Sequence, residues 1–385
     1  MNKLFVNAVL NVKSDTITLL LSKEDGKVLR ILYREDCSYD GYTDGRFFDE
    51  QSLAVIVQKL KENAEDACGL KIKRLTVGVP GEFTPVVEKQ FKYDFDRAVK
   101  VNNSYVEEVH KFGDTYTGKG NYIALACTPN FYSTDSMLKV SNPIGIVTRN
   151  LVADLSYVLA EKYFIDIFDK IASRLGLKVS YCPTILSEGM YIVPGELSEK
   201  GVILVDSDFM STSVAYFRED GILFSTTFPL GTAHVAAGIM DKCNVGYAES
   251  LELIKKINLN VRTTTDSKYT LSVGSSVKTY SMVDVNEVCF EVVHHIGKSI
   301  KKVIESIKQD IGESVPVALT GDGIANIVGV KGIVETVLNR LVTTVAPSHA
   351  ELNSVKDSSL ASLMIYAELQ NNRGIKKAVR SLFRI

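Results

Sequence analysis

Between residues 4 and 33 apolar and polar positions alternate with short breaks. The stretches LFVNAVLNVK and DTITLLLS are followed by a turn at Glu24-Asp25-Gly26 and then KVLRILYR. Such runs, bounded by Gly and Asp, predict three strands joined by tight turns. The same unit returns near residue 202: Val202 to Val205 ends at Asp206, small hydroxylated residues stand at Ser211 to Ser213, and alternation resumes through Val214, Tyr216 and Arg218 to a turn at Gly221. A further strand follows to residue 230. Elsewhere the spacing becomes helical. A helix is expected from Asp49 to Ala67, with Leu53, Val57 and Leu60 inward, before a strand at 75–81. Another is expected at 166–175 before a strand at 178–186. A long one runs from Val288 to Ile311, with Val292, Ile296, Ile300, Val303 and Ile307 on one stripe, into the strand VPVALTGDG. Strands alternating with helices predict an α/β protein, and the repeated strand unit predicts two related halves.

Composition narrows the function classes. The chain has 385 residues, 45% hydrophobic and 23% charged, enough for two or more domains with full cores. With 44 basic and 46 acidic residues, no global field favours nucleic acid. The six cysteines (Cys37, Cys68, Cys127, Cys182, Cys243, Cys289) have no paired spacing, which argues against a zinc site or a disulfide framework and fits a reducing cytosol. No eighteen apolar residues run together, and the first residues enter a strand-like run with no cleavage site, so neither a membrane span nor secretion is expected. His294 and His295 lie on the long amphipathic helix without a Glu-x-x-His partner. Glu107, Glu108 and His110 read as an exposed helix face, and no Ser-His-Asp or Cys-His grouping stands out. No metal site is expected.

Two segments carry chemistry. The turn after Val205 stands where phosphate-binding hairpins carry glycines, whose amides can approach a phosphate closely. Here Asp208, Phe209 and Met210 fill those slots, and a carboxylate with two bulky side chains repels or blocks a phosphate. An ordinary β-turn with no ligand is the plainer reading. At the other end of the chain, Ile375, Ala378, Val379, Leu382, Phe383 and Ile385 fill one arc of a helical wheel, and Lys376, Lys377, Arg380, Ser381 and Arg384 fill the opposite one. Asn371-Asn372-Arg373-Gly374 precedes them as a polar hinge. Such a helix binds anionic lipid reversibly, at roughly 1 kcal/mol per basic residue near the surface; docking on the protein's own core or in a partner's groove is the alternative.

Four segments together resemble the FtsA family, the actin homologues that tether the bacterial division ring to the membrane. VDSDFMSTSVAYFREDG at 205–221 with FPLGTAHVAAGI at 228–239 is similar to the family's second phosphate hairpin and Pro-Leu-Gly segment. PVALTGDGIANIVGVKGIVE at 316–335 resembles its adenosine motif. Residues 141–179, beginning SNPIGIVTRN, resemble the family's inserted subdomain as it returns to the core. The final GIKKAVRSLFRI resembles its membrane-targeting helix. The likeness implies an actin-like (ASKHA) α/β fold of two lobes around a cleft, with an FtsA-type insertion. The first lobe would comprise 1–83, 163–199 and 346–370, the insertion 84–162, and the second lobe 200–345 with its outer part at 232–287. Residues 371–385 would be hinge and membrane helix.

The nucleotide elements depart from the family pattern. Asn11 stands where the family has the Asp that holds magnesium-bound water, Lys13 replaces the turn glycine, and Ser14 follows. In the second hairpin Asp206 is kept, Asp208, Phe209 and Met210 replace the glycines, Ser211 and Thr212 follow, and Ser213 stands where the family has its last Asp. Gly231 belongs to the Pro-Leu-Gly segment. Gly321 and Gly323 are kept around Asp322, and they serve either adenosine or close strand–helix packing. Glu252 and Lys255 match family positions near the ribose. If ATP and magnesium are bound, these are the residues the resemblance assigns to them. Each backbone donor lost from the cradle removes a charge-assisted hydrogen bond of roughly 1.5–3 kcal/mol. The resemblance therefore implies a cytoplasmic adaptor, peripheral on the inner face of the cell membrane at the division septum. It would self-assemble into filaments as a divisome component, bind the C-terminal tail of FtsZ, and contact lipid through Ile375, Lys376, Lys377, Val379, Arg380, Leu382, Phe383, Arg384 and Ile385. Its ATPase activity would be weak or lost. Two alternatives stay open: an active actin-like ATPase with a rearranged phosphate site, in which Lys13 or Lys255 contacts phosphate or ribose, and a pilus-assembly actin homologue.

Overall fold

A computed structural model describes residues 6–26, 28–43, 45–112, 120–135, 138–219, 221–274, 276–307 and 311–371. Its two principal sheets have the same design. In the first, Val6–Val12 is central; Thr16–Asp25 and then Val28–Ser38 pair antiparallel on one side, while Arg74–Val79 and then Lys178–Pro183 pair parallel on the other. In the second, Val202–Ser207 is central, with Thr212–Arg218 and Gly221–Phe228 antiparallel on one side and Val317–Thr320 and Val342–Thr344 parallel on the other. The duplication expected from the repeated strand unit is therefore present in the backbone. Both hairpins place their first turn, residues 13–15 and 208–211, at the carboxyl end of the central strand.

Each sheet buries an outer face under its own helices. Glu50–Cys68 covers the first sheet with Leu53, Val57 and Leu60, as its spacing predicts. The Asp49 carboxylate caps it by accepting from the Gln51 and Ser52 amides, and Gly69 ends it at φ 62°. On the second sheet Met282–Ser306 packs with Val330–Leu338 and Thr232–Cys243. The inner faces share one core. Val9 and Leu20 from the first sheet and Val202, Leu204, Ala215 and Phe217 from the second enclose the helices Thr184–Tyr191 and Ser358–Asn371. Serines stitch this layer: Ser359 Oγ accepts from Asn11 Nδ2 at 2.9 Å, Ser358 Oγ meets Thr320 Oγ1 at 2.6 Å, and Ser362 Oγ meets Ser187 Oγ at 2.8 Å. One helix thus holds both sheets through buried polar contacts.

A third sheet lies between Val86 and Glu161 in the chain, ordered Val86–Lys100, Val147–Glu161, Tyr122–Thr134, Lys139–Val140, with the helix Asn103–Phe112 on one face. The strand Val147–Glu161 runs directly into the helix Lys162–Leu175. That helix starts four residues before the expected 166. Its first turn, KYFI, is aromatic and β-branched and so reads locally as strand, but Phe164 and Phe168, one turn apart, bring their rings to 4.6 Å in the core. Residues 184–186, expected to extend a strand, instead open the helix Thr184–Tyr191 after Pro183. The long helix is shifted to Met282–Ser306, beginning where Ser281 Oγ accepts from the Asp284 amide. Asn371, expected in a hinge, ends the helix Ser358–Asn371 and donates to Asn7 Oδ1 at 2.6 Å.

Candidate functional site

The duplicated hairpins bring their first turns together at the junction of the two sheets. Lys13 leaves the first central strand, its carbonyl held by Tyr39 Oη at 2.8 Å and its amide bonded to the Thr16 carbonyl at 2.9 Å. Asp208 opens the second turn, its amide donating to the Ser211 carbonyl at 2.9 Å. Across the junction Lys13 Nζ donates to Asp208 Oδ1 at 2.8 Å, and the backbone N–H of Asp322 donates to the same oxygen at 3.1 Å. Both side chains are largely buried.

The surrounding charge is strongly unbalanced. Burial opposes the Lys13 charge, but the Asp208, Asp322 and Asp206 carboxylates outweigh it and hold the ammonium above the ordinary lysine range. Asp206 is pushed up to about 8, first by burial and then by the Asp208 charge, with Lys13 opposing. Asp15 is pushed up to about 6 by burial and by Asp208. Burial also raises Asp322, against the pull of Lys13. Glu188, fully buried, is raised well above the carboxylate range by burial and then by Asp206 and Asp208. The Glu188 carboxyl hydrogen-bonds to the Asp206 carboxylate, and among the described residues no other donor reaches the Glu188 oxygens, Asp206 Oδ1, Asn11 Oδ1 or Ser14 Oγ. The polar floor under the ion pair is thus rich in acceptors and poor in donors.

Several donors beside the ion pair are engaged in clamping the second hairpin. The first amides of the helix Thr232–Cys243 turn onto the second hairpin: Thr232 N–H donates to Asp208 O at 3.3 Å and Ala233 N–H to Phe209 O at 2.8 Å. Gly323 N–H donates to Ser207 O at 2.6 Å. Thr212 Oγ1 lies 2.7 Å from Leu230 O, and Ser213 Oγ lies 2.8 Å from Thr227 Oγ1. Ser211 is buried on the same turn. The retained glycines serve close packing. A Cβ at Gly231 would overlap the carbonyls of Asp208 and Phe209; one at Gly323 would come within 2.5 Å of the Ser207 and Asp208 carbonyl oxygens; Gly321, at φ 102°, lies against Asp206. In this arrangement the Asp208 carboxylate stands where the two turns meet. The carboxylate takes the cation and the glycines clamp the hairpin.

Of the positions singled out from sequence, Asn11, Lys13, Ser14, Asp206, Ser211, Thr212, Gly231, Gly321 and Gly323 all lie on these hairpins and the loops that clamp them. Glu252 and Lys255 pair with each other instead, at 2.6 Å on an exposed surface. The residues Ile375, Lys376, Lys377, Val379, Arg380, Leu382, Phe383, Arg384 and Ile385 lie outside the described residues. Glu188 and Asp15 were not anticipated. A glutamate inside the apolar run ILSEGM was the available signal for Glu188. His110 meets Tyr132 Oη at 2.7 Å, and His294 stacks on Phe290, so neither stands in the cleft. Among the described residues no three His, Cys, Asp or Glu side chains are placed to hold a metal ion, and no helix is long and apolar enough to cross a membrane.

A cavity of about 590 Å³ lies elsewhere, between the third sheet and the outer strands of the second, lined by Glu88, Gln90, Asp154, Lys139, Arg218 and others. Gln90 Nε2 and Asn130 Nδ2 donate to the buried Asp154 carboxylate at 2.7 and 2.8 Å. Glu88 is pushed up to about 7 by burial and by Asp154.

Solved structures of similar shape decide the fold. The chain superimposes on the PilM–PilN type IV pilus biogenesis complex with TM-score 0.62 at 10% identity, over 94% of this chain and 98% of that one. It matches MreB5 of Spiroplasma citri bound to AMPPNP with TM-score 0.56 at 10% identity, covering 97% and 98%. The ethanolamine utilization protein EutJ of Carboxydothermus hydrogenoformans gives 0.53 at 14%, covering 93% and 90%. This chain has the actin-like fold. The two duplicated sheets are its framework, and the hairpin junction lies between them. No family model matches the sequence. Among curated proteins, the cell division protein FtsA of Streptococcus pneumoniae is 21% identical over 310 residues, which cover 78% of this chain and 66% of that protein. The aligned part therefore spans just under two thirds of the relative's length.

Proposed function

We propose that this actin-like protein is an FtsA-like division adaptor. It self-assembles, binds the C-terminal tail of FtsZ, and holds FtsZ filaments at the inner face of the cell membrane through residues 375–385, with ATP turnover weak or lost. The identity of the partner is supported by the likeness to S. pneumoniae FtsA. The observation that favours an adaptor over an ATPase is the Lys13–Asp208 ion pair, which takes up the cation and leaves Asp206 facing carboxyls in place of a magnesium-bound phosphate. Phosphoryl transfer works by positioning phosphate oxygens against cations and amides, and here the Lys13 cation is held by a carboxylate of the chain itself.

A lone short amphipathic helix gives marginal lipid affinity, so tethering depends on assembly, which adds avidity without new contacts. The test is co-sedimentation with anionic liposomes in the presence of FtsZ. The full chain is expected to carry FtsZ into the pellet, and a chain ending at residue 371 to leave it in the supernatant. Magnesium-dependent ATP hydrolysis lost in Asp206→Ala would replace this reading with the ATPase one. Capture of the cytosolic segment of an inner-membrane protein instead of FtsZ would replace it with that of a pilus-assembly homologue.

A further inference from the structure

Two departures in the cleft explain each other. Lys13 alone would be a buried ammonium at a turn, and Asp208 alone would be an anion placed against Asp206 and Asp322. Either change without the other leaves an uncompensated charge in a partly dry site. Together they form a contact of 2.8 Å that joins the first hairpin to the second, and the Asp322 amide adds a third element at 3.1 Å. A lysine ammonium and a backbone N–H converging on one oxygen are also how a phosphate oxygen is held.

We propose that the Asp208 carboxylate is a built-in substitute for a phosphate, seated in an anion position formed by Lys13 Nζ and the Asp322 N–H. It closes the two lobes on each other with no nucleotide between them. The lobe-bridging work that a bound phosphate would do is then permanent and encoded in the chain. Closure follows folding and does not wait for a ligand. The anion position itself persists beneath the carboxylate, and vacating it should expose a site for inorganic phosphate or the phosphates of a nucleotide. This inference rests on a cleft that works without nucleotide, not on the identity of the filament partner.

The experiment titrates the full-length protein calorimetrically with inorganic phosphate and, separately, with magnesium ATP, comparing wild type, Asp208→Gly, Asp208→Ala, and Asp208→Gly combined with Lys13→Ala. Wild type is expected to give no heat at high-micromolar ligand. Asp208→Gly removes the competing carboxylate and restores an unhindered turn, so phosphate affinity should rise at least about tenfold, the scale of one charge-assisted hydrogen bond. The gain should disappear in the Lys13→Ala combination. Should Asp208→Gly fail to melt cooperatively, Asp208→Ala decides, since it also empties the anion position but adds no backbone freedom. Equal binding by wild type and either folded variant, or no gain in either, overturns the proposal. Neither result touches FtsZ capture, so the proposal and the adaptor reading can fail separately.

Discussion

Lys13 Nζ and Asp208 Oδ1 stand 2.8 Å apart although 195 positions separate them in the chain. Each lies at the same place in its own copy of the duplicated hairpin, so the fold's internal symmetry brings them together. In a nucleotide-binding cleft these turns would face a ligand; here they face each other.

Removing Lys13 leaves Asp208 beside Asp206 and Asp322 with no cation. Lys13→Met should therefore destabilise the protein by about 2–3 kcal/mol, below the roughly 3–5 kcal/mol of a fully buried pair because Asp208 keeps some contact with solvent. Asp208→Ala combined with Lys13→Met should recover part of that loss, since no uncompensated charge remains. Thermal melts of the single and double variants measure the coupling; strictly additive losses would mean the pair contributes nothing as a pair.

Stability should fall as pH rises. Asp206 has a folded pKa near 8 against an ordinary 3.8, so between those values the folded state holds a proton that the unfolded state has released. Stability then declines across that window, and the decline is complete above about pH 8. Asp15, near 6, adds a smaller decline between about 4 and 6. Melting temperature measured from pH 5.5 to 8.5 should drop in wild type and change less in Asp206→Asn, which cannot ionise.

The cleft glycines are held by packing, and alanine reports it. Gly231→Ala and Gly323→Ala place a methyl against carbonyl oxygens of the second hairpin, and each should cost about 1–3 kcal/mol. Gly332, on the helix Val330–Leu338, has nothing within 4 Å of its Cβ position, so Gly332→Ala should be neutral or stabilise by up to about 1 kcal/mol. Denaturant midpoints distinguish the two groups.

The sheets and their duplication were legible because the pattern of both hairpins is local: apolar alternation broken by Asp and Gly survives without any tertiary information. The helix that begins at Thr184 was not, since Thr, Ile and Leu after a strand continue a strand pattern, and only burial on every side between two sheets makes them helical. Asp208 was visible as an obstacle to phosphate. Its role as the partner of Lys13 was not, because nothing in the spacing of two residues 195 apart shows that two hairpins meet. Glu188 was hidden for the same reason: its carboxyl matters only because Asp206 arrives from the second sheet.

The approach of the two sheets also depends on a glycine in the shared core. Gly189 lies on the helix Thr184–Tyr191, and a Cβ there would overlap the ring of Phe217, a fully buried residue of the second sheet. The helix follows the last strand of the first sheet and Phe217 lies in the second, so a methyl at 189 pushes the two sheets apart at the layer that Ser187, Ser358, Ser359 and Ser362 hold together. The consequence should reach the cleft, because Asn11 and Thr320, bonded to those serines, lie on strands that lead to Lys13 and Asp322. Gly189→Ala is expected to lower the melting temperature and to increase hydrogen exchange at the amides of 206–213 and 321–323. Adding Phe217→Leu, which frees the space the ring fills, should restore both in part. If exchange rises only around residue 189 itself, the layer transmits nothing to the hairpins, and closure of the cleft rests on Lys13 and Asp208 alone.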